Sequence, residues 1–355
     1  MTSPIVLVAA GDPRSMGTAH GLAFADEIRA YTDKRVRLSL EGTGMSPAEA
    51  LAVAELMLDA HRDYDADLFT EMLAMAAAAG ISPAEAVIVG GYTDFIDTMR
   101  RRAGGSAFED TCTTVITPDT DSGGAGFLAQ TWDMHASATP HVFMLDARPG
   151  GRPGSLIFTT HGTLGQIGMN DAGIAIGINN LTMDDGDIGV TWPFVVRKAL
   201  DQTDFEAALE AVVDADLAGG HSFLLFDARG NGAVVEATTT TTSIERLDGR
   251  PLVHTNHCLT EAAATVESAR PDYLVESSDL RLEHATAYLA ASPAHTLESL
   301  TALLRDEASI CRRSASLDDY ESSGAVIMRP RTGDMWACWG VPADNDFEHF
   351  RIPRG

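Results

Sequence analysis

The run Glu109-Asp110-Thr111-Cys112-Thr113-Thr114-Val115 sets a thiol among hydroxyls where an Ala-rich, helix-prone pattern gives way to a β-prone one. A cysteine thiol, with an ordinary pKa of about 8.5, needs a base to become a good nucleophile. An α-amino group titrates at about 7.7–8.0, so a cysteine at a chain N-terminus carries nucleophile and base in one residue. Within an intact chain that amine is tied up as an amide. Two readings of Cys112 therefore stand side by side. In one, the protein cuts its own Thr111–Cys112 bond, and Cys112 becomes both the new N-terminus and the nucleophile. In the other, Cys112 is a buried cysteine at a strand start, a common place for a free thiol.

Acyl transfer through a thiolate also needs donors aimed at the oxyanion and groups that set the charge of thiol and amine. Polar residues at strand ends or turns that could serve are Asp133, Asn179, Asn180, Ser222, Asn256 and Arg312. Taken singly, each also fits a turn or capping role. Asn256, inside His254-Thr255-Asn256-His257-Cys258, is the hardest to read that way, because asparagine is disfavoured in strands. Other chemistries lack their residues. There is no phosphate-binding Walker loop, no HExxH and no Gly-x-Ser-x-Gly elbow. The cysteines Cys112, Cys258, Cys311 and Cys338 form no Cys-x-x-Cys pair, which argues against a zinc site, a redox motif or a disulfide scaffold. His254 and His257 on one strand would point to opposite faces. No metal and no cofactor is expected.

The elements that must hold these residues follow from pattern. Pro4 to Ala10 suits a strand, broken by Gly11-Asp12-Pro13. Ser15 to about Leu40 reads as one amphipathic helix. Ser46-Pro47-Ala48-Glu49 and Ser82-Pro83-Ala84-Glu85 are two identical helix starts, each with Ser as cap, Pro first and Glu third. The first helix runs to about Ala66, another covers Leu68–Ala79 before Gly80, and the last ends near Arg102. Arg101 to Asp110 reads as an exposed linker of the kind where chains are nicked. Beyond it, Thr113–Thr117, an Asp/Ser/Gly turn over 119–126 and Phe127–Thr131 predict a hairpin that brings Asp133 beside Cys112. Further hairpins are expected around Gly151-Arg152-Pro153-Gly154, Asn170-Asp171-Ala172-Gly173 and Gly230-Asn231-Gly232. Thr191–Ala215 reads as helix, Thr238–Thr242 as an edge strand and Leu252–Cys258 as a strand end. Ser278–Ala291 and Thr296–Asp306 read as helices, and Val326–Arg329 and Asp334–Trp339 as the final strands.

Composition narrows the partners. Formal net charge is −26, with 51 acidic residues against 25 basic ones. Only Lys34 and Lys198 are lysines. This disfavours nucleic acid and anionic membrane surfaces. The N-terminus lacks a basic start and a long apolar run, and no apolar stretch reaches the ~18 residues a membrane span needs, so a cytoplasmic location is expected.

Several strings together carry a family resemblance: Cys112-Thr113-Thr114, Thr131-Trp132-Asp133, Gly168-Met169-Asn170-Asp171-Ala172-Gly173-Ile174-Ala175, His254-Thr255-Asn256-His257-Cys258 and Ser309-Ile310-Cys311-Arg312. In this order the chain resembles the isopenicillin-N acyltransferase-like family. Its members are N-terminal-nucleophile hydrolases, related more distantly to penicillin V acylases, bile-salt hydrolases and acid ceramidase. The resemblance implies an α+β fold, a four-layer αββα sandwich of antiparallel sheets preceded by a helical precursor segment. It implies cleavage between Thr111 and Cys112 into 1–111 and 112–355, which stay packed as a heterodimer; a higher homo-oligomer stays open. It implies Cys112 as nucleophile, Asp133 as the residue that orients it, Asn256 as oxyanion donor and Arg312 as the active-site charge. Thr113, Thr114, Asn180, Ser222 and Ser309 fall on the substrate side. The expected activity is hydrolysis of a linear amide through an acyl-Cys112 intermediate. The alternatives are acyl transfer from an amide or thioester to an amine, and an uncleaved binding protein without catalysis.

Overall fold

The computed structural model describes residues 6–104, 111–292 and 294–353. Ahead of Cys112 lie strand β1 (Val6–Gly11) and helices α1 (Pro13–Ala23), α2 (Ala25–Ser39), α3 (Pro47–Tyr64), α4 (Ala66–Ala79), α5 (Pro83–Gly90) and α6 (Tyr92–Ala103). The caps fall where the sequence puts them. Ser46 and Ser82 each close a capping box with the Glu three residues on, and Gly80 ends α4 in the left-handed region at φ 80°.

Two expected helices are each broken in two. Phe24 leaves the helical region at φ −132° and ψ 32°, which separates α1 from α2. Its ring packs on Phe143 and His161 at centroid distances of 4.7 and 4.2 Å. Gly91 separates α5 from α6, leaving the helical region at φ −105° and ψ 41°, and a Cβ there would collide with the Thr191 side chain. In α1, a Cβ at Gly17 or Gly21 would run into the backbone of α4, so these glycines let the two helices close on each other. Of the expected linker, residues 105–110 lie outside the described residues, as do Pro4 and Ile5 of the first strand.

From Thr113 on, the strands are β2 (Thr113–Thr117), β3 (Phe127–His135), β4 (Val142–Pro149), β5 (Ser155–Thr160), β6 (Ile167–Asn170), β7 (Ile174–Leu181), β8 (Gly220–Asp227), β9 (Gly232–Ala237), β10 (Thr242–Arg246), β11 (Leu252–His254), β12 (Tyr320–Arg329), β13 (Asp334–Trp339) and β14 (Glu348–Arg351). The helices are α7 (Trp192–Leu200), α8 (Phe205–Val213), α9 (Glu261–Ala264), α10 (Asp272–Ala291) and α11 (Leu297–Leu304). They build an eight-stranded sheet in the order β1-β4-β5-β6-β7-β8-β9-β10 and a six-stranded sheet in the order β11-β2-β3-β12-β13-β14.

Alternation along β2 and β3 shows how the layers stack. Ile116 and Leu128 join the core shared with the eight-stranded sheet. Val115 and Ala129, one residue along, pack with Ala285, Leu289 and Leu300 of α10 and α11. Helices α7 and α8 lie on the outer face of the eight-stranded sheet, against β6 to β9. The result is the four-layer αββα sandwich. Its strands pair antiparallel except at one edge, where β1 runs parallel to β4 from Val6↔Met144 to Gly11↔Pro149. Six helices and the β2–β3 hairpin intervene between those strands, enough chain for the crossover a parallel pair requires. Three smaller expectations are corrected. Thr238–Thr241 is a turn, with the Thr238 and Thr240 hydroxyls donating to Asp185 at 2.9 and 2.7 Å, and the edge strand follows it. The helix expected over 191–215 is two, α7 and α8. Strand β11 ends at His254, so Asn256 lies in a loop.

Residues 6–104 are built into the rest. Asp94 accepts the Trp192 N–H at the start of α7 (2.7 Å) and stands 3.1 Å from the His221 ring. His20 of α1 accepts the Gly162 N–H at 3.2 Å, and His61 of α3 bonds Met57 carbonyl and the Thr191 hydroxyl at 2.8 and 2.9 Å. Burial pushes these histidines down, His20 to about 3 with Arg197 adding to the effect, and His61 to about 4. They fold neutral and gain protons when the chain unfolds. Their contribution is therefore complete above the unfolded pKa of about 6.5 and is lost as pH falls towards 4 and 3. The urea midpoint is expected to drop steadily from pH 6.5 to 5, where ordinary carboxylates are still largely ionised. A flat midpoint over that range would show that these histidines are not held neutral.

Candidate active site

Cys112 immediately precedes β2, the second strand of the six-stranded sheet, and is 1% exposed. The hairpin register pairs Thr113 with Thr131, which carries Asp133 alongside Cys112. The Cys112 sulfur lies 3.3 Å from the Asp133 N–H, which donates to it, and 3.8 Å from the Asp133 carbonyl. The other three cysteines are poor nucleophiles. Burial pushes Cys311 up to about 11 and Cys338 up to about 12. Burial also raises Cys258, helped by Glu267 and Glu236.

Asn256 is held at both ends. Its backbone N–H donates to the Ser278 hydroxyl at 3.0 Å, and Arg270 donates to its carbonyl. Its side-chain oxygen accepts from Arg281 at 3.1 Å. One N–H of its amide donates to the Asn180 carbonyl at 3.1 Å, and an amide nitrogen carries two. The loop is anchored by Glu236, which accepts from the His254 ring at 2.8 Å, from Leu259 N–H and from Thr260 N–H and hydroxyl. His254 and His257 thus serve separate contacts, His257 turning to the Ser278 hydroxyl at 2.8 Å.

A cavity of about 270 Å³ opens between α10 and the Thr111 end of β2. Thr111, Asp133, Arg281, Ser309 and Arg312 line it. Arg312 is fixed by its backbone, whose N–H donates to the Ser322 hydroxyl at 3.0 Å while its carbonyl accepts the Ser322 N–H at 2.9 Å. Ser322 is the register partner of Asp133. The Arg312 guanidinium stands 3.5 Å from Asp319, and Ser309 donates to Asp306 at 2.8 Å.

The remaining candidates divide by face. Thr113 points to α10, where its hydroxyl meets Arg281 at 3.1 Å. Thr114 points between the sheets, against Gly177. Ser222 and Asn179 are register partners two residues beyond Gly177, both wholly buried and with unpartnered side-chain polar atoms. Asn180 reaches the site through its carbonyl. Its side chain falls on the other face of the sheet, with His221 and α6.

Sequence reasoning missed Arg281. It is buried at 1% exposure and bonds the Cys112 carbonyl, the Thr113 hydroxyl and the Asn256 side chain. The signal was available, since the buried positions of α10 are Leu274, Ser278, Arg281, Ala285 and Leu289. A charge in the middle of the stripe that faces the sheet asks for a partner. No cluster of three metal-binding side chains occurs among the described residues, and no single helix among them is long and apolar enough to cross a membrane.

The architecture is mixed α+β, with Cys112 at the head of a buried strand and tied to Asn256 through Arg281. The family model for acyl-coenzyme A:6-aminopenicillanic acid acyl-transferase matches residues 119–344, and the chain belongs to that family. An acyl-coenzyme A:6-aminopenicillanic-acid-acyltransferase 40 kDa form from Emericella nidulans is 26% identical over 314 residues, 85% of this chain and 83% of that protein. Among solved structures, a variant of the conjugated bile acid hydrolase from Clostridium perfringens aligns with TM-score 0.45 at 12% identity, over 68% of this chain and 98% of that one. Penicillin V acylase from Agrobacterium tumefaciens aligns with TM-score 0.37 at 12% identity, over 64% and 82% respectively.

Proposed function

We propose that this protein is a self-processing cysteine amidohydrolase that cuts its own Thr111–Cys112 bond and then a linear C–N amide through an acyl-Cys112 intermediate. The observation that carries the reading is the joining of Cys112 to Asn256 through one buried side chain, with Asp133 N–H on the sulfur. Nucleophile and oxyanion donor are thereby held in one rigid unit, which a merely buried cysteine does not need.

In the self-processing step the Cys112 sulfur attacks the Thr111 carbonyl carbon. The C–N bond breaks, the Cys112 nitrogen takes a proton, and water hydrolyses the resulting ester-like thioacyl group. The products are a chain 1–111 ending in a carboxylate and a chain 112–355 starting with a free amine. In turnover that amine takes the thiol proton as sulfur attacks the substrate carbonyl, then gives it to the leaving amine. The second N–H of the Asn256 amide serves the oxyanion, and Asp133 and Arg312 set the charge around the new N-terminus. Thr114 and Ser222 between the sheets, and Thr113 and Ser309 on the α10 side, are the candidates for substrate contacts, and the unpartnered Ser222 and Asn179 groups offer hydrogen bonds to a polar substrate.

Family membership supports a second reading on the same residues, in which an amine instead of water attacks the acyl-Cys112 thioester. The test is the intact mass and N-terminal sequence of the purified wild type, followed by a linear-amide screen with and without added amine. Two pieces, the larger beginning at Cys112, are expected. Product formed without an amine supports hydrolysis, and dependence on the amine supports transfer. A single intact chain that resists prolonged incubation would sink the self-processing reading.

A further inference from the structure

We propose that Arg281 is the residue that positions the nucleophile and the oxyanion donor against each other, and that its charge keeps the Cys112 amine free to act as a base. The proposal rests on Cys112 being freed as above. Arg281 projects from α10 into the six-stranded sheet and is the largest fully buried side chain of the chain's described residues. Removing a guanidinium from water costs several kcal/mol, and a helix that only had to pack on a sheet would carry an aliphatic residue there. The donors of this one go instead to three groups of the site: the Cys112 carbonyl, the Thr113 hydroxyl and the Asn256 side-chain oxygen.

The contact with Asn256 decides which way that amide points. Oxygen and nitrogen of an asparagine are nearly equal in size, and only the hydrogen-bond network orders them. With Arg281 donating to the oxygen, the NH2 group is turned to the Asn180 carbonyl, with its second N–H left for an oxyanion. A flipped amide would face the guanidinium with two N–H groups and would offer a lone pair to a developing oxyanion. Ser278, one turn earlier on α10, takes the Asn256 backbone N–H at 3.0 Å, so the helix grips that residue at two points. A planar fork can bridge a carbonyl and an amide oxygen at once, which the compact ammonium of a lysine reproduces poorly.

Contact with the Cys112 carbonyl also puts a fixed positive charge within one residue of the α-amine. A like charge disfavours protonation and lowers the amine pKa. Asp133 from β3 and Glu307 act in the opposite sense, while Arg312 and Arg313 act with Arg281; all line the same cavity.

The experiment uses full-length protein and needs no substrate. Self-cleavage is followed by intact mass, and alkylation of Cys112 by iodoacetamide is followed against pH, for wild type, Arg281→Lys and Arg281→Gln. Arg281→Lys is expected to process about ten- to a hundredfold more slowly, at a melting midpoint close to wild type, as a misplaced catalytic group would. It should add little when Asn256 is already Ala, because the two act as one unit. In Arg281→Gln the pH at which Cys112 becomes reactive should move upward, while Arg281→Lys, which keeps the charge, leaves it in place. Should Arg281→Gln fail to fold, the rate and midpoint of Arg281→Lys alone decide. Wild-type processing and pH profiles in the variants, or slowing that only tracks lost stability, would overturn this proposal and leave the nucleophile intact. A wild type that never cleaves overturns both.

Discussion

Cys112→Ala is expected to remain one chain of 355 residues under conditions where wild type is found as two pieces, and to turn over no amide above background. The loss expected on removing a nucleophile that acts as a unit with its base is on the order of 10⁴- to 10⁶-fold. On the proposed mechanism the loss is doubled in kind, because the same sulfur would make the enzyme and then work in it. Cys112→Ser separates the two roles. A hydroxyl can attack the neighbouring carbonyl when it is held against it, so slow processing is expected, with turnover far below wild type. Stability should change little in either variant. The Asp133 backbone meets the sulfur at 3.3 and 3.8 Å, long contacts for a hydrogen bond, and a serine or alanine is no larger than the cysteine it replaces. Intact mass over days at fixed temperature reads the first role, and product release from any amide that wild type consumes reads the second. An alanine variant that still separates into 1–111 and 112–355 would mean that another group, or a contaminating protease, cuts there. The high positions of the Cys311 and Cys338 thiols make neither of them a ready substitute.

How much of this was legible in the sequence depends on the range of the interaction involved. The β2–β3 hairpin was legible because its signals are local: alternating β-formers on both sides of a turn rich in Asp, Ser and Gly. That alone put Asp133 beside Cys112. Helix starts at Ser46 and Ser82 were legible for the same reason, since a capping box is complete within four residues. Helix breaks at Phe24 and Gly91 were not. The residues that Phe24 and Gly91 meet there lie a hundred or so positions away, Phe143 and His161 for one and Thr191 for the other, where no local signal reports them. The parallel partner of β1 was hidden likewise, 138 residues along at Val6↔Met144 by number difference.

The site divides along the same line. Asn256 stood out because an asparagine sat in what looked like a strand, and it proves to lie just past the end of β11. Asn180 was legible as a position but not as a group, because the pleat sends its side chain to α6 and leaves its carbonyl for Asn256. Arg281 carries no motif, and only its place in the stripe of α10 distinguishes it from the exposed charges around it. Its meaning appears when β2, the Asn256 loop and α10, distant in sequence, meet at one guanidinium.

Glu71→Ala is expected to destabilise the protein by about 3–5 kcal/mol, the cost of breaking a buried pair by removing one partner. Glu71 on α4 receives both nitrogens of Arg197 on α7, at 2.8 and 3.0 Å, and the residues are 4% and 2% exposed. The pair spans the proposed cleavage, with Glu71 in 1–111 and Arg197 in 112–355. Without the carboxylate, Arg197 keeps the Leu164 carbonyl at 3.0 Å and the more distant charges of Asp201 and Asp65, and a guanidinium in that place must draw in water or move. Replacing both residues by leucine should cost much less, because no charge is then left buried. Denaturant melts of the two variants beside wild type read this directly, and equal losses in both would mean that the site tolerates a bare guanidinium. The same pair bears on what cleavage does. Strand β1 on β4, Asp94 at the head of α7 and Tyr64 donating to the Ala211 carbonyl at 2.6 Å cross the same boundary. A cut at Thr111 should therefore leave the two pieces eluting together in native size exclusion, parting only when the fold is lost, and Glu71→Ala should lower the denaturant needed to part them.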